Sequence, residues 1–193
     1  TISTHLINLD LNLFTDGVIA ALKKIAEFTS HDQITIFIID PESDFTSIEW
    51  QATTKYTTHI HLTKSDILLN CQDSLRQLKT KNYIQISSLQ DFLRSFPSEL
   101  KFFDFELVKS ILMIPLKLKE DLIGWISFTN YEKPRIWNPQ SIEVFNNLAD
   151  LFINIFERKK YESRIEKLHL SLEQKIHEKT NELSTLLNIQ KAL

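Results

Sequence analysis

From Pro139 to Leu193 the chain carries no glycine and no further proline. Nothing there interrupts an α-helix, and Asn138-Pro139 is a good place to start one. The Asn side chain can accept from free backbone N–H groups, and a proline at the first helical position forfeits no hydrogen bond. A continuous helix over that span would reach about 80 Å at about 1.5 Å per residue, several times what covering a domain's own core requires. Any fold for this chain must accommodate a helix that outruns its domain. Trp137, just ahead of it, reads as a lone exposed side chain.

The helix is patterned in two stretches. Phe145, Leu148, Phe152 and Ile155 recur at helical spacing, with Val144, Leu151 and Phe156 alongside. A face that broad is expected to cover a sheet and to meet a second copy of the chain. "ERKKYESR" (157–164) then thins the apolar stripe and marks the expected edge of the globular domain, near residue 158. The stripe resumes as Ile165, Leu168, Leu172, Ile176, Leu183, Leu186 and Leu193, mostly in heptad steps, with a stutter where Leu168, Leu172 and Ile176 follow at intervals of four. A lone helix has nothing to bury such a stripe against, whereas a parallel two-stranded coiled coil does. The dimer interface is therefore expected at Phe145, Leu148, Phe152, Ile155, Ile165, Leu172, Ile176, Leu183 and Leu186.

Composition narrows the function classes. Gly17 and Gly124 are the only glycines, too few for a G-x-G-x-x-G dinucleotide loop or a phosphate-cradling P-loop. Tight turns are expected to rely on Asn and Asp instead. A formal charge of −3 gives no reason to expect nucleic acid or an anionic membrane as partner. Cys71 is the only cysteine, so no internal disulfide forms, in keeping with a reducing compartment. The longest apolar runs, such as "IFII" (36–39), fall far short of the roughly 20 residues of a membrane helix. A cytoplasmic segment without membrane contact is expected. The chain starts without Met and stops inside a helical pattern, so a piece of a larger protein is expected.

Along the chain, "LFTDGVIAALKKIAEFTS" (13–30) sets Val18, Leu22, Ile25 and Phe28 at helical spacing. "QITIFIID" reads as a buried strand, paired through "PESD" with the alternating "FTSIEWQAT" (45–53), and "THIHLT" (58–63) is a possible third strand. "DSLRQLKTKN" is a short helix and "YIQIS" (83–87) a strand. Residues 88–109 are irregular and partly helical, with five phenylalanines. "SILMIPLKL" and "LIGWISFTN" are strands joined by "KED". Strands in antiparallel-looking pairs with helices at both ends make an α+β fold.

The last two strands and the helix entry resemble the end of a GAF domain. That family has a Ser before an apolar strand containing a Pro, a short turn, a strand with an early Gly, and a Trp leading into a long helix. Ser110, Pro115, Gly124 and Trp137 fall in step with it. The resemblance covers about 13–158, after a lead-in of 1–12, and implies a PAS-related central antiparallel sheet flanked by helices. Residues 159–193 follow as a coiled-coil signalling helix like those joining sensor to output domains in bacterial receptors. The implied function is a non-catalytic sensory module of a two-component-type signalling protein. It would bind a small molecule or partner and signal through a parallel dimeric helix to an output domain in the same chain.

In such a domain the phenylalanine-rich segment is the natural roof of a pocket. Trp50, Tyr83, Phe96, Phe102, Phe103, Phe105 and Trp125 are the expected lining. Ser98 and Glu99 stand where bilin-binding members carry Cys and His, so no covalent bilin and no other cofactor is expected. "NYEKPR" does not reproduce the cyclic-nucleotide pattern, and a single cysteine cannot run a methionine-sulfoxide redox cycle. His59 and His61 share a strand face but have no further ligand at metal spacing, so no metal is expected. Two alternatives stand beside the sensor reading. One is a ligandless dimerisation spacer. The other is part of a histidine kinase with His177 of "HEKTN" as phosphoacceptor, which the absence of an ATP-binding segment in these residues disfavours.

Overall fold

The computed structural model describes residues 13–40, 47–51, 63–97, 99 and 107–192, without the side chains of Leu89 and of residues 185–192. The elements run α1 (Phe14–Thr29), β1 (Gln33–Ile38), β2 (Ser47–Gln51), α2 (Lys64–Asn70), α3 (Gln72–Thr80), β3 (Ile84–Ile86), α4 (Leu89–Ser95), β4 (Ser110–Leu118), β5 (Asp121–Asn130) and α5 (Pro139–Ala192). The "PESD" connection and the possible strand 58–63 lie outside the described residues, as do the first 12. By contact the chain divides into two compact units, 1–155 and 156–193.

The first unit is built on one five-stranded sheet of order β2-β1-β5-β4-β3, and every neighbouring pair described is antiparallel. β5 sits at the centre and joins the N-terminal hairpin to the C-terminal one. Side chains alternate across a pleated strand, and the register sorts them. Ile34, Ile36, Ile48, Trp50, Leu112, Ile114, Ile126 and Phe128 share one face. Helices α1 and α5 cover it. Val18, Leu22 and Ile25 are buried from α1, and Phe145 of α5 lies 4.2 Å from Phe128 between ring centroids. Phe28 departs from the expected stripe: it is 85% exposed. The buried line of α1 runs instead through Phe14, Val18, Ala21, Leu22, Ile25 and Ala26.

Gly124 carries a close approach that no other residue permits. A Cβ there would meet the Phe37 carbonyl oxygen at 2.1 Å. The strand bulges beside it, between Leu116 and Lys117 of the partner register, and the Ile39 N–H donates to Ile123 O. Among the described residues, turns with positive φ are made by neither Asn nor Asp. Ser30 (φ 55°) ends α1 in the left-handed region, and Lys119 (φ 56°) opens the two-residue β4–β5 turn.

At the start of α5 the Ser141 N–H donates to Asn138 Oδ1 at 2.8 Å, so Asn138 is the cap expected ahead of Pro139. In the second unit Ile165, Leu168, Leu172, Ile176 and Leu183 are 57–65% exposed. Surface pairs such as His169–Glu173 (3.3 Å) and Lys179–Glu182 (2.5 Å) lie along it, each contributing at most a few tenths of a kcal/mol. Among the described residues, no helix is long and apolar enough to cross a membrane.

Gly124→Ala should lose about 2–4 kcal/mol, because the clash is with backbone at the sheet's centre, while Lys119→Gly should gain about 1 kcal/mol by removing left-handed strain. Urea unfolding of the two variants checks both, and an undiminished Gly124→Ala midpoint would contradict the close approach.

Candidate functional site

The opposite face of the sheet is the candidate site. Its β3–β4 end is apolar: Ile84, Ile86, Ile111, Met113 and Trp125 pack with Ile67 and Cys71, with Leu75 and Leu78 of α3, and with Phe92 and Phe96. The three short helices are set by local chemistry. Thr63 and Asp66 form a reciprocal capping box on α2, and the Ser88 side chain accepts from the Asp91 N–H ahead of α4. Helix α3 has no side-chain cap of its own. Glu99, from after α4, supplies it: one carboxylate oxygen accepts from the Ser74 N–H and the other from Ser74 Oγ, each at 2.6 Å. Buried desolvation raises the Glu99 pKa, against the lowering pull of those Ser74 bonds. Desolvation, with the Glu99 charge nearby, pushes the Cys71 thiol up to about 12, so it is not a thiolate at neutral pH.

The expected lining is only partly brought together. Phe96 and Trp125 are fully buried in this cluster. Trp50 pairs with Ile34 and so stands on the other face, toward α1. Tyr83 is exposed ahead of β3. Phe102, Phe103, Phe105, Ser98, His59 and His61 lie outside the described residues. A small cleft opens between β3, α4 and β4, walled by Ile86, Phe92, Val108 and Ile111.

Toward β2 the same face turns polar. Gln33, Thr35, Ser127 and Thr129 are buried there, with Glu49 and Gln51 beside them by register. Gln33 Nε2 donates to Glu49 Oε2 at 3.1 Å, and the Tyr131 hydroxyl donates to Gln33 Oε1. Sequence reading missed this patch. Its signal was present in the polar residues alternating with Ile34, Ile36, Ile126 and Phe128, which look like solvent-facing positions until a second layer covers them.

A third feature ties the sheet to the start of α5. Trp137, expected to be exposed, is 4% exposed. Its indole N–H donates to His31 Nε2 at 3.0 Å, and the two rings are nearly parallel. Thr29 Oγ1 donates to the Ile25 carbonyl, so His31 Nδ1 is the donor to Thr29 Oγ1 at 2.7 Å. Both imidazole nitrogens are thus occupied in the neutral form, and burial, helped by the Arg135 charge, lowers the His31 pKa to about 3. The Arg135 guanidinium donates to the Thr29 carbonyl at the end of α1, and the Arg135 backbone N–H donates to Ser110 Oγ at 2.9 Å. Asp32 accepts from the Tyr131 N–H at 2.7 Å.

Of the expected interface positions, Phe145, Phe152 and Ile155 are buried within the first unit, and Leu148 is half-buried. The first three are therefore core side chains rather than a face for another copy. Ile165, Leu172, Ile176 and Leu183 are exposed, the side chain of Leu186 is not described, and His177 is exposed on the helix.

This sheet, with its two helical layers, is the GAF fold. No family model matches the chain. It is 28% identical over 120 residues, 62% of its length, to the circadian input-output histidine kinase CikA of Thermosynechococcus vestitus. It spans only 16% of that relative. Among solved structures, the blue-light-absorbing form of the PixJ GAF domain of Thermosynechococcus elongatus superposes with a TM-score of 0.57 at 16% identity, covering 82% of this chain and 94% of that one. The phycocyanobilin-bound GAF domain of a cyanobacterial phytochrome superposes with a TM-score of 0.59 at 14% identity, covering 83% and 94%.

These neighbours correct the expectation of no cofactor. A domain of this fold is solved with phycocyanobilin bound and another with phycoerythrobilin, so the fold accommodates a cofactor. The expectation rested on the residues at Ser98 and Glu99, which bear on covalent attachment and not on occupancy. Glu99 is engaged in capping α3. The one thiol, Cys71, is packed among apolar side chains and does not fit the role of a covalent anchor.

The His31 environment predicts a pH dependence. A histidine in the unfolded chain takes its proton near pH 6.5, but in the fold only near 3. Stability should therefore fall as pH drops below 6.5, by about 1.4 kcal/mol per pH unit from this group. Glu99, with its raised pKa, acts in the opposite direction. Comparing wild type with His31→Gln by urea unfolding at pH 7 and pH 5 isolates the histidine: only the wild type should carry the slope, and equal slopes would contradict the buried neutral imidazole.

Proposed function

We propose that this chain is a sensory GAF module of a signalling protein. It holds a small molecule on the Trp125 face of its sheet and passes the state of that site through a dimeric C-terminal helix to an output domain. The observation that carries the reading is the pairing of a GAF fold with a helix that extends past the domain and exposes Ile165, Leu168, Leu172, Ile176 and Leu183. A solitary helix gains nothing from such a row, and a second copy in parallel buries it at about 1.5–3 kcal/mol per large apolar side chain. The similarity to a histidine kinase supports an output of that class, and the bilin-bound neighbours support a pocket on this fold. The stutter at Leu168–Leu172–Ile176 suits a helix with two near-equal packings, which a ligand of different affinity for each would bias. The segment does no chemistry of its own in this reading, and it works in the cytoplasm.

The test is the oligomeric state. Light scattering at tens of micromolar should return a dimer for the wild type, and Leu172→Glu with Ile176→Glu should return a folded monomer with an unchanged thermal midpoint in the first unit. A monomeric wild type, or a dimer that survives both substitutions, would contradict the helix as the dimerising element.

A further inference from the structure

One column of the second unit holds a charge where a helix pair needs an apolar side chain. Ile165, Leu172, Lys179 and Leu186 follow one another along α5 at steps of seven. Ile165 and Leu172 are 65% and 58% exposed, and the Lys179 side chain is 74% exposed. Seven residues bring a helix back to nearly the same side after two turns, so the four positions make one line. A strict step of seven is the period at which two helices wind round each other. A globular surface imposes no such repeat, whereas a second copy of the same helix does.

The column has apolar neighbours on both flanks, at different heights. Leu168 comes three residues after Ile165, about 60° short of a full turn. Ile176 and Leu183 come four residues after Leu172 and Lys179, about 40° past a full turn. All three are exposed. A second copy therefore buries the column with its Leu168 flank at one end and with its Ile176–Leu183 flank at the other. Carrying the first phase onward would bring Lys175 and Glu182 into the paired face, and carrying the second backward would bring in His169. Lys179 is in the column itself, so it stands in the paired face in either phase. Its ammonium has a partner on its own helix, Glu182 Oε2 at 2.5 Å, which balances the charge without making the layer apolar.

We infer that Lys179 is the register-setting layer of the helix pair: it selects the parallel, in-register alignment with a second copy and holds the affinity of that alignment down. In register, Lys179 meets its own counterpart, and the two charges share one hydrated layer. A slip of one heptad sets one lysine against Leu172 and the other against Leu186, and so spoils two apolar layers where the correct alignment spoils one. Because Lys179 is paired in both phases, it weakens both and favours neither, which leaves the two packings near balance. This rests on the dimeric-helix reading of the previous subsection and names the residue that controls it.

The test compares Lys179→Leu and Lys179→Gln with wild type in the whole chain. Sedimentation over a dilution series reads the dissociation constant. Disulfide trapping reads the register, with Leu172→Cys in both chains for the correct alignment, and Leu172→Cys against Ile165→Cys for a slip of one heptad. A mass tag on one chain distinguishes the mixed pair from the like pairs. Cys71 is buried and its thiol is pushed up to about 12, so the introduced thiols react alone. In the wild-type background the Leu172→Cys pair should close and the mixed pair should not. Lys179→Leu should pair at least about tenfold more tightly and should trap the mixed pair as well. Lys179→Gln keeps a polar layer, so it should tighten less and trap the like pair alone. An unchanged or weaker dissociation constant for Lys179→Leu, or a mixed pair as abundant in wild type as in that variant, would overturn the inference and leave the dimer reading standing. A wild type that is monomeric at tens of micromolar would sink the dimer reading and the inference with it.

Discussion

The fold turns on the contact between β1 and β5. There the Phe37 carbonyl comes so near Gly124 that a side chain could not stand between them. β5 is the central strand, and through β1 and β4 it joins two hairpins that are distant in sequence. Each face of the sheet depends on that seam. Ile34, Ile36, Ile126 and Phe128 form the floor for α1 and α5, and Thr35, Phe37, Trp125 and Ser127 form the candidate site. A glycine at the seam permits that approach, and the adjacent bulge takes up the extra residue. The candidate-site face and the face under α1 and α5 are thus two sides of one pleat.

The corner at His31 gives that arrangement a direction. The segment between β5 and α5 is fastened at four points: Tyr131 to Asp32, Arg135 to Ser110 and to the end of α1, and Trp137 to His31. Each fastening links the helix entry to β4, to the end of α1 or to the α1–β1 connection, and none is a purely apolar contact that could slide. Directional bonds with few alternatives make a joint that either holds or switches, which suits the transmission proposed for this helix. Burial holds the His31 imidazole neutral, with its pKa lowered to about 3.

Much of this was legible in the chain, for identifiable reasons. The α+β order, the two C-terminal strands and the Asn138-Pro139 helix start were readable because hydrophobic period and capping chemistry are local. Gly124 stood out because one of only two glycines sat within a strand. The role of Trp137 was not, since a tryptophan after a proline and two charged residues looks exposed until a histidine more than a hundred positions earlier meets its N–H. The helix α2 was overlooked although Thr63-x-x-Asp66 is a capping box. Trp50 and Trp125 were grouped by residue type, but strand parity separates them. The interface residues on the first turns of α5 were misallotted for a related reason: a broad apolar face on one helix does not say which part meets its own sheet. The lack of a thiol motif at Ser98 and Glu99 was read too far, as absence of any cofactor.

The central claim is that one chain both holds a small molecule and pairs through its helix, and native mass spectrometry of the protein as purified from cells reads both at once. The account predicts a dimer whose mass exceeds two chains by one or two equivalents of a small molecule. A monomer, or a dimer at the bare mass of two chains, would contradict it.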